Sequence, residues 1–306
     1  MLVIRLLLVL KVFSVIMFIN FYFQEMSSKI YKNSSERGFL WPKKSLGQHF
    51  LRSQAVLKEI IGAGELNQKD VVVEIGPGQG FLTKALLVTV GQVVAIEKDE
   101  KLVAFLKKQI WLKKNRQKII LVTGDVLQFH WLQFFQEKKI ESYKLVANIP
   151  YYITGQILRI FQEIEWRPEI AVFLVQKEVA ERVCASAGQK SLLSIASEYF
   201  GQCQIVDYVG KENFFPVPKV DSAILKIVFK KAIHLPHQNL ASRKAFFRLV
   251  KMGFASRRKT LFNNLKIAFA EELLKQAFLA IGLNWKVRAQ ELELKDWLAL
   301  EKFFVN

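Results

Sequence analysis

The run Val71-Val72-Val73-Glu74-Ile75 passes directly into Gly76-Pro77-Gly78-Gln79-Gly80 and then into the helical pattern Phe81 to Val88. Five residues dominated by β-branched side chains are too few for a buried helix and read as a strand covered on both faces. Strands covered on both faces belong to parallel sheets, whose crossover connections carry helices. The chain is therefore an α/β protein whose first unit ends in a loop where glycines let a ligand approach the backbone closely.

The pattern repeats. The strand Gln92 to Ile96 ends at Glu97, nineteen positions after Gly78. An acid at that point can accept hydrogen bonds from both hydroxyls of a ribose. A helix is expected over Lys101 to Leu112, and a third strand, Ile119 to Val122, ends at Gly124-Asp125. In an open α/β sheet ligands bind outside the carboxyl ends of the strands, so Gly76, Glu97 and Asp125 mark one site. The loop reads G-x-G-x-G rather than G-x-G-x-x-G, and it lacks the Lys-Ser/Thr that holds phosphates. An adenosyl ligand without phosphates, S-adenosylmethionine, fits better than NAD.

The strand Tyr143 to Ala147 ends at Asn148-Ile149-Pro150-Tyr151. Asn148 offers one acceptor oxygen and a donor amine. Pro150 fixes its own φ and removes a donor, and Tyr151 offers a flat face for a base. Such a group can cradle an exocyclic amine on a flat heterocycle, or it is simply a strand end with an Asx turn and a core tyrosine. Further elements are expected over Ser53 to Ile61 (helix), Gly155 to Ile164 (helix), Ile170 to Val175 (strand), Lys177 to Arg182 (helix), Ser191 to Tyr199 (helix), Cys203 to Val209 (strand) and Ala223 to Phe229, which closes the sheet. The proline-stiffened loop Asn213 to Lys219 carries exposed aromatics. Within it Phe214 is either a second stacking plate facing Tyr151 or an anchor packed on the core.

Beyond Lys231 the pattern is helical only. Residues 241 to 266 hold eight cations, among them Arg257, Arg258 and Lys259, and no acid. Phe246, Phe247, Leu249, Val250 and Phe254 recur between them at helical spacing, which suggests a small helical domain with a basic outer side. Glu291 to Glu301 reads as a closing helix. The 306-residue chain has a formal net charge of +18, which favours an anionic partner, nucleic acid or a membrane surface. Its two cysteines, Cys184 and Cys203, have no metal or redox spacing and read as reduced thiols, and the four histidines form no metal cluster. The apolar stretch Met1 to Phe23 is long enough to span a bilayer; alternatively translation begins at Met26, which is the reading favoured here.

Together these motifs resemble the ribosomal RNA adenine N6-dimethyltransferases, the KsgA family and its Erm relatives. The resemblance runs from about Lys43 to at least Leu265. It is carried by Leu46-Gly-Gln-His-Phe-Leu51, Glu74-Ile-Gly-Pro-Gly-Gln-Gly80, Gly124-Asp125, Asn148-Ile-Pro-Tyr151, Gln176-Lys-Glu178, Phe214-Phe-Pro-Val-Pro-Lys-Val-Asp-Ser222 and Arg257-Arg-Lys-Thr260 with Asn264. The Gln-Lys-Glu and Pro-Lys-Val-Asp-Ser runs are similar to the small-subunit branch rather than the Erm branch. Tyr152 departs from the Asn often found at its position.

The resemblance implies a Rossmann-like methyltransferase sheet over residues 41–232, a small all-helical RNA-contacting domain over 233–306 and an N-terminal extension over 1–40. It implies S-adenosylmethionine as cofactor, held by His49, Leu51, Gly76, Gly78, Glu97, Asp125 and Asn148. It further implies catalysis by Asn148 and Pro150 with the target base clamped by Tyr151 and Phe214, and RNA contacts from Arg257, Arg258 and Lys259. The implied reaction is N6,N6-dimethylation of two adjacent adenosines in a hairpin near the 3′ end of small-subunit RNA. The implied partner is that RNA or the immature 30S particle, met in the cytoplasm by a monomer that touches membrane only if residues 1–25 are part of it. Two alternatives are an Erm-type enzyme acting on 23S RNA and an RNA-binding assembly or transcription factor of the same fold.

Overall fold

The computed structural model describes residues 40–43, 47–164, 166–231, 235–237 and 239–304. The apolar N-terminal stretch and the choice of start at Met26 lie outside the described residues. Among the described residues no helix is long and apolar enough to cross a membrane.

Seven strands form one sheet: β2 (Val71–Ile75), β3 (Gln92–Glu97), β4 (Ile119–Thr123), β5 (Lys144–Asn148), β6 (Ile170–Gln176), β7 (Gly201–Val209) and β9 (Ser222–Phe229). Their order is β4-β3-β2-β5-β6-β9-β7. The first five run parallel, while β9 is antiparallel to β6 and β7 antiparallel to β9. Thus Ala223 to Phe229 does not close the sheet as expected; it lies one place inside, and β7 forms the edge. The chain winds outward from β2 through β3 to β4, then returns to the other side of β2 with β5. The order reverses between β2 and β5, so the glycine loop and Asn148 flank the crevice where ligands bind in such sheets. A separate two-stranded ribbon pairs β1 (Phe50–Leu51) with β8 (Phe214–Phe215), and it occupies part of the stretch expected as a loop.

Strand alternation decides what each face buries. Val73, Ile75, Val94, Ile96, Leu145 and Ala147 pack on α5 (Trp131–Lys138) and α6 (Thr154–Glu163), through Trp131, Phe135, Ile157, Leu158 and Phe161. Val72 and Glu74 point to the opposite face, beneath α1 (Gln54–Ala63) and α2 (Phe81–Thr89). Helix α5 fills a stretch where no element is expected from the sequence. Its Phe135 packs with Trp131 and Phe134 with Phe135, and their spacing is too crowded for a clean amphipathic pattern.

The single helix expected over Lys101 to Leu112 is broken. Its parts are α3 (Glu100–Lys108) and α4 (Ile110–Lys114), separated at Gln109, whose φ of −70° and ψ of 132° are extended. The break brings Trp111 against Gly80 at the start of α2, where an added Cβ would lie 2.6 Å from the indole. Lys84 sits 5.2 Å over the same ring.

After α7 (Lys177–Val183) and α8 (Leu192–Phe200) the helical segment contains α9 (Leu240–Gly253), α10 (Leu261–Leu265), α11 (Glu271–Ala280) and α12 (Leu294–Phe304). Its core is Phe246, Leu249, Val250, Leu261, Leu274, Phe278, Trp297 and Leu300, and it also takes in Ile195, Tyr199 and Phe200 of α8. The hydroxyl of Tyr199 meets His237 Nδ1 at 2.9 Å, and His237 Nε2 lies 2.8 Å from Glu301 on α12. The helical segment and α8 thus share one core within the same compact unit. Both cysteines are free thiols, and burial pushes Cys203 up to about 12.

Candidate active site

A cleft opens at the carboxyl ends of β2, β3, β4 and β5, where the sheet order reverses. His49, Gly76, Gly78, Glu97, Asp125, Asn148, Pro150 and Tyr151 all line it, so eight expected residues from separate stretches of the chain converge. Leu51 and Phe214 do not line it. Leu51 is buried and paired with Phe214 across the β1–β8 ribbon. Arg257, Arg258 and Lys259 lie on the helical segment, also outside the cleft.

The glycine loop follows from backbone sterics. Gly76, Gly78 and Gly80 have φ of 69°, 57° and 84°, a region open to glycine at little cost. A Cβ at Gly78 would come within 2.8 Å of the Phe50 ring, whereas one at Gly76 would meet only the Asn148 carbonyl at 3.8 Å. Gly76 thus leaves room for a ligand. Gly80 does not, because Trp111 covers the N-terminus of α2, the place a pyrophosphate would need. The loop suits an adenosyl group better than a dinucleotide.

Glu97 is buried at the end of β3. Its Oε2 accepts from the Gly78 N–H at 3.2 Å and its Oε1 from Asp99 N–H at 2.9 Å. Burial raises its carboxyl above the usual range while these N–H groups pull it back. Each oxygen keeps a second lone pair, enough to accept from a diol. Asp125 accepts from Leu127 N–H at 3.0 Å and from Lys98 Nζ at 2.7 Å, and the Lys98 hydrogen bond lowers its carboxyl. Lys98 is the one lysine or arginine among the described residues lining the cleft, and sequence reasoning missed it although it directly follows Glu97. Beneath the loop Glu74 is 1% exposed, with no hydrogen-bond partner at Oε2; loss of solvent pushes its carboxyl up to about 8.

At the end of β5 the amide of Asn148 is oriented by its partner. Nδ2 donates to the His49 carbonyl at 3.0 Å, and since a carbonyl can only accept, the amine must be on that side. Oδ1 then stands at the cleft wall without a partner among the described residues. The Pro150 carbonyl accepts from Ile153 N–H at 3.1 Å, closing a short turn. Of the two carbonyls that follow Asn148, that of Ile149 is therefore the less committed.

Tyr151 is held by its hydroxyl, 2.9 Å from Ser222 Oγ, and burial raises its phenol above the ordinary value. The ring facing it belongs to His49, not Phe214: centroids are 5.8 Å apart with planes inclined by 20°. His49 Nδ1 in turn donates to the Pro216 carbonyl at 2.7 Å. Phe214 is 3% exposed, which corrects the expected exposed aromatic and, of the two alternatives for this residue, supports the anchor packed on the core rather than the second plate. Its pairing with Leu51 holds β8, which Pro216 directly follows, beside β1, which His49 directly precedes. Pairing of β1 with β8 joins residues more than 160 apart in the chain, and no local pattern reveals it. Tyr152, 61% exposed, also lines the cleft and lies over Gly47, whose added Cβ would meet its ring at 3.3 Å.

On the helical segment Asn264 donates to the carbonyls of Gly253 at 2.6 Å and Ser256 at 3.0 Å. Thr260 caps α10 by accepting from Asn263 N–H at 3.2 Å. These bonds fix the loop that exposes Arg257, Arg258 and Lys259.

Known proteins resemble this chain over most of its length. The family model described as ribosomal RNA adenine dimethylase matches residues 41–306. A ribosomal RNA small subunit methyltransferase A of Dehalococcoides mccartyi is 38% identical over 273 residues, 88% of this chain and 90% of that protein. The protein of the same name from Thermosynechococcus vestitus is 39% identical, covering 85% of this chain and 96% of its own. Among solved structures, a dimethyladenosine transferase from Plasmodium falciparum superposes with a TM-score of 0.68 at 26% identity, over 84% of this chain and 97% of that one. The 23S rRNA methyltransferase ErmE gives 0.67 at 25% identity, over 84% and 100%.

Proposed function

This chain belongs to the ribosomal RNA adenine dimethylase family, and on that premise we propose that it transfers methyl groups from S-adenosylmethionine to N6 of adenosines in small-subunit ribosomal RNA. The fold does not separate this from large-subunit methylation, because the two solved relatives superpose almost equally well. Sequence does: the relatives at 38–39% identity carry the small-subunit name, against 25% for ErmE. The target is assigned as two adjacent adenosines in a hairpin near the 3′ end of the RNA, presented by the immature particle to a cytoplasmic monomer.

The cleft fits the cofactor on its own chemistry. Glu97 would hold the ribose diol, Asp125 the adenine amine, and the loop at Gly76 and Gly78 would lie along the rest, with His49 and Asn148 closing the far side. Leu51 would serve through its backbone, since its side chain is buried. When bound, the cofactor supplies an electrophilic methyl on a sulfonium.

The chain's own residues supply position. An adenine amine is a poor nucleophile because its lone pair is delocalised into the ring. Asn148 Oδ1 and the Ile149 carbonyl accept its two N–H bonds and so favour a pyramidal nitrogen whose lone pair points away from them. Pro150 keeps the Ile149 carbonyl in place, and Tyr151, tethered by Ser222, stacks on the base once it has left the RNA stack. The methylated ammonium is strongly acidic and sheds its proton to water, so positioning and electrostatics carry the rate. Residues 41–232 are assigned this chemistry and residues 233–306 the RNA docking, with Arg257, Arg258 and Lys259 as phosphate contacts.

The observation that carries the proposal is the locked amide of Asn148, with its amine on His49 and its oxygen free at the cleft wall. The test is methyl transfer from labelled cofactor to immature small subunits and to large-subunit RNA, with the modified bases mapped. Two methyl groups at N6 of small-subunit adenosines are expected. Label confined to large-subunit RNA, or no transfer to either, would overturn it.

A further inference from the structure

The helical segment presents an aromatic surface that the reaction does not use. The Trp285 ring lies parallel to the buried Phe278 ring, with centroids 5.5 Å apart and planes within 7°, while Phe262 meets it edge-on at 5.4 Å. One indole face is thereby covered, yet the residue stays 42% exposed, so its other face looks into solvent. The turn that carries it is stiff. Asn284 Oδ1 accepts from Lys286 N–H at 2.8 Å, and the Asn284 carbonyl accepts from Val287 N–H at 3.0 Å.

The same turn is fastened to the basic loop. Leu261 N–H, directly after the Arg257-Arg258-Lys259-Thr260 run, donates to the Val287 carbonyl at 2.8 Å. Lys286, Arg288, Arg257, Arg258 and Lys259 are all exposed, and none forms an ion pair among the described residues. Glu291, the acid nearest in sequence, accepts from the Arg288 backbone N–H at 3.1 Å.

A rigid aromatic face bordered by unpaired cations is the chemistry that holds single-stranded nucleic acid: bases stack on the ring and phosphates meet the charges. We propose that Trp285 is a base-stacking plate for an unpaired nucleotide of the RNA, with Lys286, Arg288 and the Arg257–Lys259 loop holding the flanking phosphates. This rests on the RNA-substrate reading above and adds to it a second, remote base contact outside the cleft. A plate on the helical segment lets the enzyme recognise that its RNA contains an unpaired stretch without using the residues that act on the target adenine.

The test compares Trp285→Leu, which keeps an apolar cover over Phe278 but removes the plate, with Trp285→Phe, which keeps a smaller plate. Filter binding of a mixed-sequence single-stranded RNA and of an RNA duplex is measured over a salt series, with thermal unfolding of each variant as a folding control. Stacking of one base contributes roughly five- to hundredfold in affinity. The Leu variant should lose that much for single strands, with an unchanged salt slope, an unaltered duplex affinity and near wild-type unfolding. The Phe variant should lie between the two. Single-strand affinity unchanged in the Leu variant would overturn the proposal, as would an equal loss in both variants that follows their unfolding temperatures. A wild-type protein that fails to methylate small-subunit RNA would refute the functional reading instead, and that outcome is read without any Trp285 variant.

Discussion

The cleft and the helical segment arrange their polar groups in opposite ways. In the cleft, polar groups are few, largely buried and individually aimed: Glu97 by two backbone N–H groups, Asn148 by the His49 carbonyl, Tyr151 by Ser222. On the helical side, cations are many and exposed, and what is held in place is the loop that carries Arg257 to Lys259, by Asn264. Burial makes each cleft group costly to lose, because a stranded partner keeps its desolvation penalty. Exposure makes each helical cation cheap, and its contribution falls with salt. Under the proposed function, this difference separates a chemical step that would depend on single atoms from docking that would depend on summed charge.

The largest expected effect lies beneath the glycine loop. Burial holds the Glu74 carboxyl near 8 against an ordinary 4.5, so the folded state binds this proton more tightly than the unfolded chain does. Its contribution to stability is complete below about pH 4.5 and is lost as pH rises through 8. Glu74→Gln should remove that loss, leaving the variant more stable than wild type at pH 9 by on the order of 5 kcal/mol. Urea unfolding from pH 5 to 9 measures it; parallel stability curves for the two proteins would show that Glu74 is not the buried acid described.

Next in size is Glu97→Ala. It should weaken cofactor binding by about 1.5–3 kcal/mol, the worth of hydrogen bonds to a charged group, and leave RNA affinity unchanged. Calorimetry with an unaltered cofactor affinity would remove Glu97 from the site. On the other side, replacing Arg257, Arg258 and Lys259 together by Ala should flatten the salt dependence of RNA binding. The slope of log affinity against log salt should fall by about 0.7–0.9 for each phosphate that the variant no longer neutralises. An unchanged slope would make the basic loop a solvated face and erase the contrast. The smallest effect is expected for Ser222→Ala, which frees the Tyr151 ring at a cost of about 1 kcal/mol and should reduce turnover severalfold. Equal turnover in that variant would mean that the tether does not position the plate.

The same contrast decides what could be read from the sequence. Strand ends were legible because β-branched runs stop at Gly76, Glu97, Asp125 and Asn148, and the α/β rule places such ends on one side of the sheet. The helical surface was legible through charge alone, since residues 241 to 266 carry no acid. What failed was non-local. Antiparallel pairing of Phe50–Leu51 with Phe214–Phe215 makes His49, not Phe214, the neighbour of Tyr151, and nothing within either segment announces the other. Lys98 was missed as a partner of Asp125 because their link crosses from one strand end to the next. The break at Gln109 brings Trp111 over Gly80, a contact no helical periodicity encodes. The inner position of β9 is likewise a matter of pairing partners, not of local pattern.

The division of labour is tested most directly by single-turnover methylation of immature small subunits at saturating RNA. The Arg257, Arg258 and Lys259 triple variant should regain the wild-type rate once saturated, because it lacks only the proposed docking contacts. Asn148→Ala should bind RNA as the wild type does and yet methylate about 100- to 1,000-fold more slowly, the usual loss on removing one pre-organised polar contact to a reacting group. A triple variant that stays slow at saturation, or an Asn148→Ala protein that works at close to the wild-type rate, would contradict the account.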